Sequence, residues 1–162
     1  MTIQVGERLP EATFKTFTAD GAVAKTTGEI FGGKTVALFA VPGAFTPTCS
    51  AKHLPGYKEH AAELKALGVD VIACVSVNDV FVMDAWGKSQ DVGDDVLMLA
   101  DGSGDFARAV GLDLDLAKAG MGMRSRRYSM VVKDGVVDKL NVEESGEFRV
   151  SAADYMVNQI KA

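Results

Sequence analysis

The chain has little that would staple it, anchor it or bind it to a polyanion: two cysteines, two histidines, one tryptophan and four prolines among 162 residues. Cys49 and Cys74 form neither a disulfide framework nor a C-x-x-C pair, so both read as free thiols. In a reducing compartment such a thiol is kept for reactivity or for packing. A net charge of −5 argues against a nucleic-acid backbone or an anionic membrane as partner. The longest uncharged apolar stretch, Val36 to Phe45, is far short of the roughly 20 residues that span a bilayer, and Pro42 interrupts it. Met1 to Glu7 shows no basic region followed by an apolar one, so a cytoplasmic location is the expectation. No repeat, low-complexity tract or Pro/Ser-rich linker divides the sequence, which predicts one domain over residues 1–162.

What is present alternates between two periodicities. Thr13 to Phe17 has the period of a half-buried strand, and Val36 to Val41 and Val69 to Val77 are nearly continuous apolar runs, as in strands covered on both faces. Between them Leu54, Tyr57, Ala61, Leu64 and Leu67 recur at helical spacing, predicting a helix over 50–67 that kinks near Pro55-Gly56 and ends at Gly68. Asp79 caps a helix to about Lys88, Val96 to Ala100 is a short strand, and Asp105 to Val110 is a helix closed by Gly111. Asp134-Gly135 joins two strands, Tyr128 to Lys133 and Val136 to Asn141, in a hairpin. Ser151 with Asp154 starts a last helix that turns Tyr155, Met156 and Ile160 inward. These patterns give an α/β class with a mixed sheet.

The junction between the second strand and its helix carries the chemistry. In Val41-Pro42-Gly43-Ala44-Phe45-Thr46-Pro47-Thr48-Cys49, Thr46 is a good N-cap, Pro47 suits the first helical position and Cys49 falls in the first turn. Unpaired N–H groups and the positive end of the helix dipole favour thiolate there, and Gly43 allows a sharp bend. A buried-strand pattern, Val71 to Val75, surrounds Cys74 and reads as a core thiol. Arg124, Arg126 and Arg127 lie too close together for composition to choose among them. His53, four residues from Cys49 on a helix, raises a Cys-His dyad or a zinc site, but no histidine follows His60 and the paired spacing of a zinc site is missing.

Pro42-x-x-x-Thr46-x-x-Cys49 resembles the active-site signature of the peroxiredoxins. The longer run through Ser50 and His53-Leu54-Pro55-Gly56-Tyr57 is similar to their type II subgroup, which includes animal peroxiredoxin 5 and the plant type II enzymes. Val75 to Asp79, Phe81 to Trp86 and Gly122 to Val132 extend the likeness from about Val36 to Val142. It implies a thioredoxin-like fold, a central mixed β-sheet flanked by helices, and a thiol peroxidase without metal, haem or flavin. Cys49 would be the nucleophile and end as sulfenic acid, reducing hydrogen peroxide and small alkyl hydroperoxides. Thr46 would bind the peroxide or thiolate, Pro42 would shape the pocket and limit water, and Arg127 would favour the thiolate and hold the peroxide oxygens, with Arg124 as a second contact. It further implies a homodimer, in keeping with Phe45 and Phe81 beside the site, and an external reductant, glutaredoxin with glutathione or else thioredoxin. Animal members carry a resolving cysteine near the C-terminal helix; in this chain Ser151 lies in that region and no cysteine follows Cys74. A Cys-His hydrolase and a non-catalytic thioredoxin-like sensor or chaperone subunit are the alternatives.

Overall fold

The computed structural model describes residues 1–162. Nine strands are found: β1 Thr13–Thr18, β2 Gly21–Thr26, β3 Thr35–Val41, β4 Val71–Ser76, β5 Leu97–Ala100, β6 Asp113–Leu116, β7 Gly122–Ser125, β8 Tyr128–Lys133 and β9 Val136–Val142. The helices are α1 Thr27–Phe31, α2 Leu54–Glu59, α3 Ala61–Ala66, α4 Val80–Ser89, α5 Asp105–Ala109 and α6 Ala153–Lys161. Seven strands form one sheet in the order β2-β1-β5-β4-β3-β8-β9, and β6 pairs with β7 apart from it. β3, β4 and β5 run parallel, while β8 returns antiparallel to β3. This is the thioredoxin-like arrangement with a central mixed sheet.

Alternation along β3 sends its side chains to two cores. Ala37, Phe39 and Val41 face one, with Cys74 and Met98 from the neighbouring strands and Leu54, Tyr57, Trp86 and Met156 from the helices. Val36, Leu38 and Ala40 face the other, with Phe14, Phe31 and Phe106. Being covered on both sides explains why β3 and β4 read as unbroken apolar runs. Asp134 and Gly135 both have positive φ, 48° and 78°, as a tight two-residue hairpin between twisted strands requires.

Three expectations need correction. The predicted long helix is instead a π turn over Cys49–His53 followed by α2 and α3. Its break lies at His60 (φ −94°, ψ 7°), where the ring Nδ1 lies 3.0 Å from the Gly56 carbonyl. Pro55 causes no kink because it sits at the start of α2, and the π turn closes just before it through the Leu54 N–H and the Cys49 carbonyl. Ser151 does not cap α6; Ala152 occupies that position without a side-chain bond, and the Ser151 hydroxyl turns instead to Glu143. Tyr155 is exposed, leaving Ala153, Met156 and Val157 as the buried residues of that helix.

Candidate active site

The site forms beyond the carboxyl ends of the parallel strands β3 and β4, where an open α/β sheet leaves a crevice. Past Val41 the chain turns through Pro42 to Thr46, and Asn78, beyond β4, fixes the turn by accepting from the Ala44 N–H at 3.0 Å. Phe45 adopts φ 64°, a left-handed conformation unusual for an aromatic residue, with its ring 53 % exposed. Gly43 does not have a positive φ; the reason for glycine here is space. A Cβ would lie 3.1 Å from the Thr46 Cγ2, 3.3 Å from the Met121 Cε and 3.5 Å from an Arg124 nitrogen.

Helical hydrogen bonding then begins with the Ser50 N–H donating to the Thr46 carbonyl at 2.9 Å. Thr46 caps through its main chain alone. Its hydroxyl donates to the Gly43 carbonyl at 2.7 Å, which leaves the oxygen lone pairs free to accept. The Thr48 and Cys49 N–H groups donate to no main-chain carbonyl. Cys49 is fully buried, and next to it the indole of Trp86 donates to the Ser50 hydroxyl at 3.0 Å.

Of the three clustered arginines, Arg127 reaches the thiol. Its Nη2 donates to the Cys49 Sγ at 3.1 Å, and its Nη1 lies 2.7 Å from the His53 Nδ1. Arg126 donates to the Glu143 carbonyl, and Arg124 to the carbonyls of Val77 and Met121, so neither guanidinium bonds to the sulfur. His53 is enclosed by the rings of Phe39, Tyr57 and Phe148. Burial first, and the Arg127 charge second, pull its pKa down to about 3. The ring is therefore neutral at pH 7. Its Nε2 lies 3.1 Å from the Ser151 carbonyl, which requires the proton on that nitrogen and leaves the Nδ1 lone pair for Arg127. His53 is thus a partner of the arginine, not of the sulfur, and the Cys-His dyad considered from sequence does not form.

Sequence reasoning missed this link, although the Cys49-to-His53 spacing was visible. It also missed Asn78 and Glu143, whose partners lie in other segments. Cys74 sits in β4 between Phe39 and Met98, fully buried, and burial pushes its thiol well above the ordinary range. A thiol held protonated is a poor nucleophile. A cavity of about 390 Å³ borders the site, lined by Pro42, Thr48, Arg126 and Arg127 with the Glu143 to Glu147 segment, and Leu114 is its one aliphatic side chain.

Comparison with known proteins gives the family. The Redoxin family model matches residues 4–157. Peroxiredoxin-2E-2 of Oryza sativa, a chloroplastic protein, is 54 % identical over 98 % of this chain and 73 % of its own length. Peroxiredoxin-2B of Arabidopsis thaliana is 50 % identical over 94 % of both chains. Reduced Prx3 of Vibrio vulnificus, solved in complex with hydrogen peroxide, superposes with a TM-score of 0.95 at 52 % identity, covering 98 % of this chain and 99 % of that one. The chain belongs to the peroxiredoxins, the thiol peroxidases of the redoxin family, and within them to the type II group.

Proposed function

We propose that the protein reduces hydrogen peroxide and small alkyl hydroperoxides at Cys49 and is regenerated by an external thiol. The observation that carries this reading is the Arg127 guanidinium 3.1 Å from the Cys49 sulfur, beside Thr48 and Cys49 N–H groups that no main-chain carbonyl takes up. The sulfur, reacting as thiolate, attacks one peroxide oxygen. An S–O bond forms as the O–O bond breaks, and the departing oxygen leaves with the electron pair as hydroxide or alkoxide, which a proton from solvent neutralises. Cys49 becomes sulfenic acid. Arg127 and the Thr48 and Cys49 N–H groups face the charge that builds on the oxygens, and the Thr46 oxygen can accept the peroxide O–H. Pro42 walls the approach.

The bordering cavity of about 390 Å³ has room for hydrogen peroxide or a small alkyl hydroperoxide beside Pro42 and Arg127. With Cys74 immobilised and Ser151 lacking a thiol, the sulfenic acid is resolved by an external thiol: it forms a mixed disulfide and releases water, and a second thiol then frees Cys49. Glutaredoxin with glutathione is the preferred donor and thioredoxin the next. Both cysteines are free, as suits the reducing cytoplasm. One equivalent of hydrogen peroxide added to reduced protein, followed by a sulfenate trap and mass spectrometry, tests the reading. The expected product is one trapped sulfenate on Cys49 and turnover on adding thiol; release of product from an acyl substrate without peroxide would establish the hydrolase instead.

Cys74→Ser keeps most peroxidase activity with glutaredoxin and glutathione. A serine hydroxyl in the core costs about 1–3 kcal/mol, a Tm loss of several degrees by calorimetry for a chain of this size. A stoichiometric Cys49–Cys74 disulfide within one chain, seen in the mass spectrum after peroxide alone, would overturn this one-cysteine cycle.

We also assign the exposed aromatics beside the site to a homodimer contact. Phe81 is 66 % exposed and meets Phe17 edge to face at 5.8 Å, while Phe45 lies 6.5 Å from Trp86 on the same helix as Phe81. Covering such a cluster stabilises association. Light scattering of the reduced protein at micromolar concentration should give twice 17.1 kDa, and Phe81→Asp should shift it toward the monomer. A monomer mass alone in the unsubstituted protein sinks the assignment.

A further inference from the structure

We propose that Glu143, remote from the sulfur, is a positioning residue for Arg127, acting through the Ser151 main chain and His53. This rests on the peroxidase reading above. The Glu143 carboxylate accepts from the Arg149 N–H at 2.6 Å, the Ser151 N–H at 2.8 Å and the Ser151 hydroxyl at 2.7 Å. It is a buried acid with no cationic side chain paired to it, held by neutral donors only. Burial alone would raise its pKa, but the Ser151 and Arg149 bonds outweigh that and hold it below the usual carboxylate range. Each of these bonds ties down the segment that ends in the Ser151 carbonyl. That carbonyl receives both the Tyr57 hydroxyl at 2.8 Å and the His53 Nε2. Where it points decides which nitrogen of His53 keeps the proton, and hence whether Nδ1 can accept from Arg127.

The same residue grips the arginine segment from its backbone. Its N–H donates to the Arg127 carbonyl at 3.0 Å, and its own carbonyl accepts from the Arg126 guanidinium at 3.1 Å. One glutamate thus sets both ends of Arg127: the main chain directly, and the guanidinium by way of Ser151 and His53. A side chain needed only to close the 143–151 loop would have no reason to affect the fork at the sulfur.

The test is a double-mutant cycle on the rate of peroxide reduction, with Glu143→Gln made in the unsubstituted protein and in Arg127→Gln. Losing charged hydrogen bonds at this carboxylate should slow the reaction roughly tenfold in the first background. In the second it should change little, because the guanidinium it positions is gone. Equal losses in both backgrounds would mean a role in the fold alone and overturn the proposal. Nitrogen NMR of the two histidines supplies a readout independent of turnover: His53 should hold the Nε2–H tautomer in the unsubstituted protein and lose it in Glu143→Gln, and an unchanged tautomer speaks against the proposal even if the protein proved not to be a peroxidase. If Glu143→Gln fails to fold, Ser151→Ala removes one of the three bonds while keeping the carbonyl, and the same cycle with that variant decides by the same non-additivity.

Discussion

Cys49→Ser abolishes peroxide consumption and leaves the fold standing. The sulfur is the only buried nucleophile that a guanidinium faces, and serine oxygen does not form an oxidised intermediate with peroxide. Stability should change by no more than about 1–2 kcal/mol, because the hydroxyl is smaller than the thiol and inherits the Arg127 donor, so no buried polar atom is left unpaired. Peroxide disappearance in a stopped-flow assay and the thermal transition by circular dichroism measure the two halves separately. Retained turnover with a normal transition would remove Cys49 from the mechanism, and with it the peroxidase reading.

Much of the architecture was legible because periodicity reports burial. β3 and β4 lie between two cores and therefore have no polar residue in their centres, and α4 and the β8–β9 hairpin carry their own start and turn signals at Asp79 and Asp134-Gly135. β2 was not legible. None of its residues is buried, so it presents no apolar period, and it lies at the edge of the sheet, paired only with β1. The one-turn helix α1 was missed for its brevity, even though Thr26 and Glu29 form a complete capping box. β6 and β7 pair away from the main sheet with mostly part-exposed residues, for the same result as β2.

In the site the local frame was readable and the long-range partners were not. Thr46, Pro47 and Cys49 obey rules that act within one turn of helix. His53 was visible at the right spacing but was weighed only as a dyad partner of the sulfur or a zinc ligand; its true partner lies 74 residues away, and that of Glu143 is created only when the chain between β9 and α6 folds back. Resemblance chose Arg127 among three neighbours, and the geometry gives a reason that spacing lacked: β7 ends at Ser125 and β8 starts at Tyr128, so Arg127 lies in the connection and is free of the alternation of either strand.

Arg127→Gln should slow peroxide reduction by at least about 10²-fold, the scale of losing one preorganised donor at a developing charge. Three effects act together. The thiolate loses the positive charge 3.1 Å from it, the departing oxygen loses a donor, and the neutral His53 Nδ1 loses its partner at 2.7 Å. Glutamine can still donate one hydrogen bond, so the loss measures charge and fork geometry more than polarity. Arg127→Lys separates these: it keeps the charge but cannot bond the sulfur and His53 at once, and should fall between the two. Arg126→Gln is the comparison: that guanidinium bonds to nothing on Cys49, and losing its bond to the Glu143 carbonyl should cost far less than losing the donor at the sulfur. Second-order rates with hydrogen peroxide, measured by stopped flow, and thiolate absorbance before mixing give the comparison. A loss that appears in the rate but not in thiolate content assigns the arginine to the transition state alone. If Arg126→Gln and Arg127→Gln lose activity alike, the charge acts through the general field of the cluster, and the short contact to Cys49 is not what drives the chemistry.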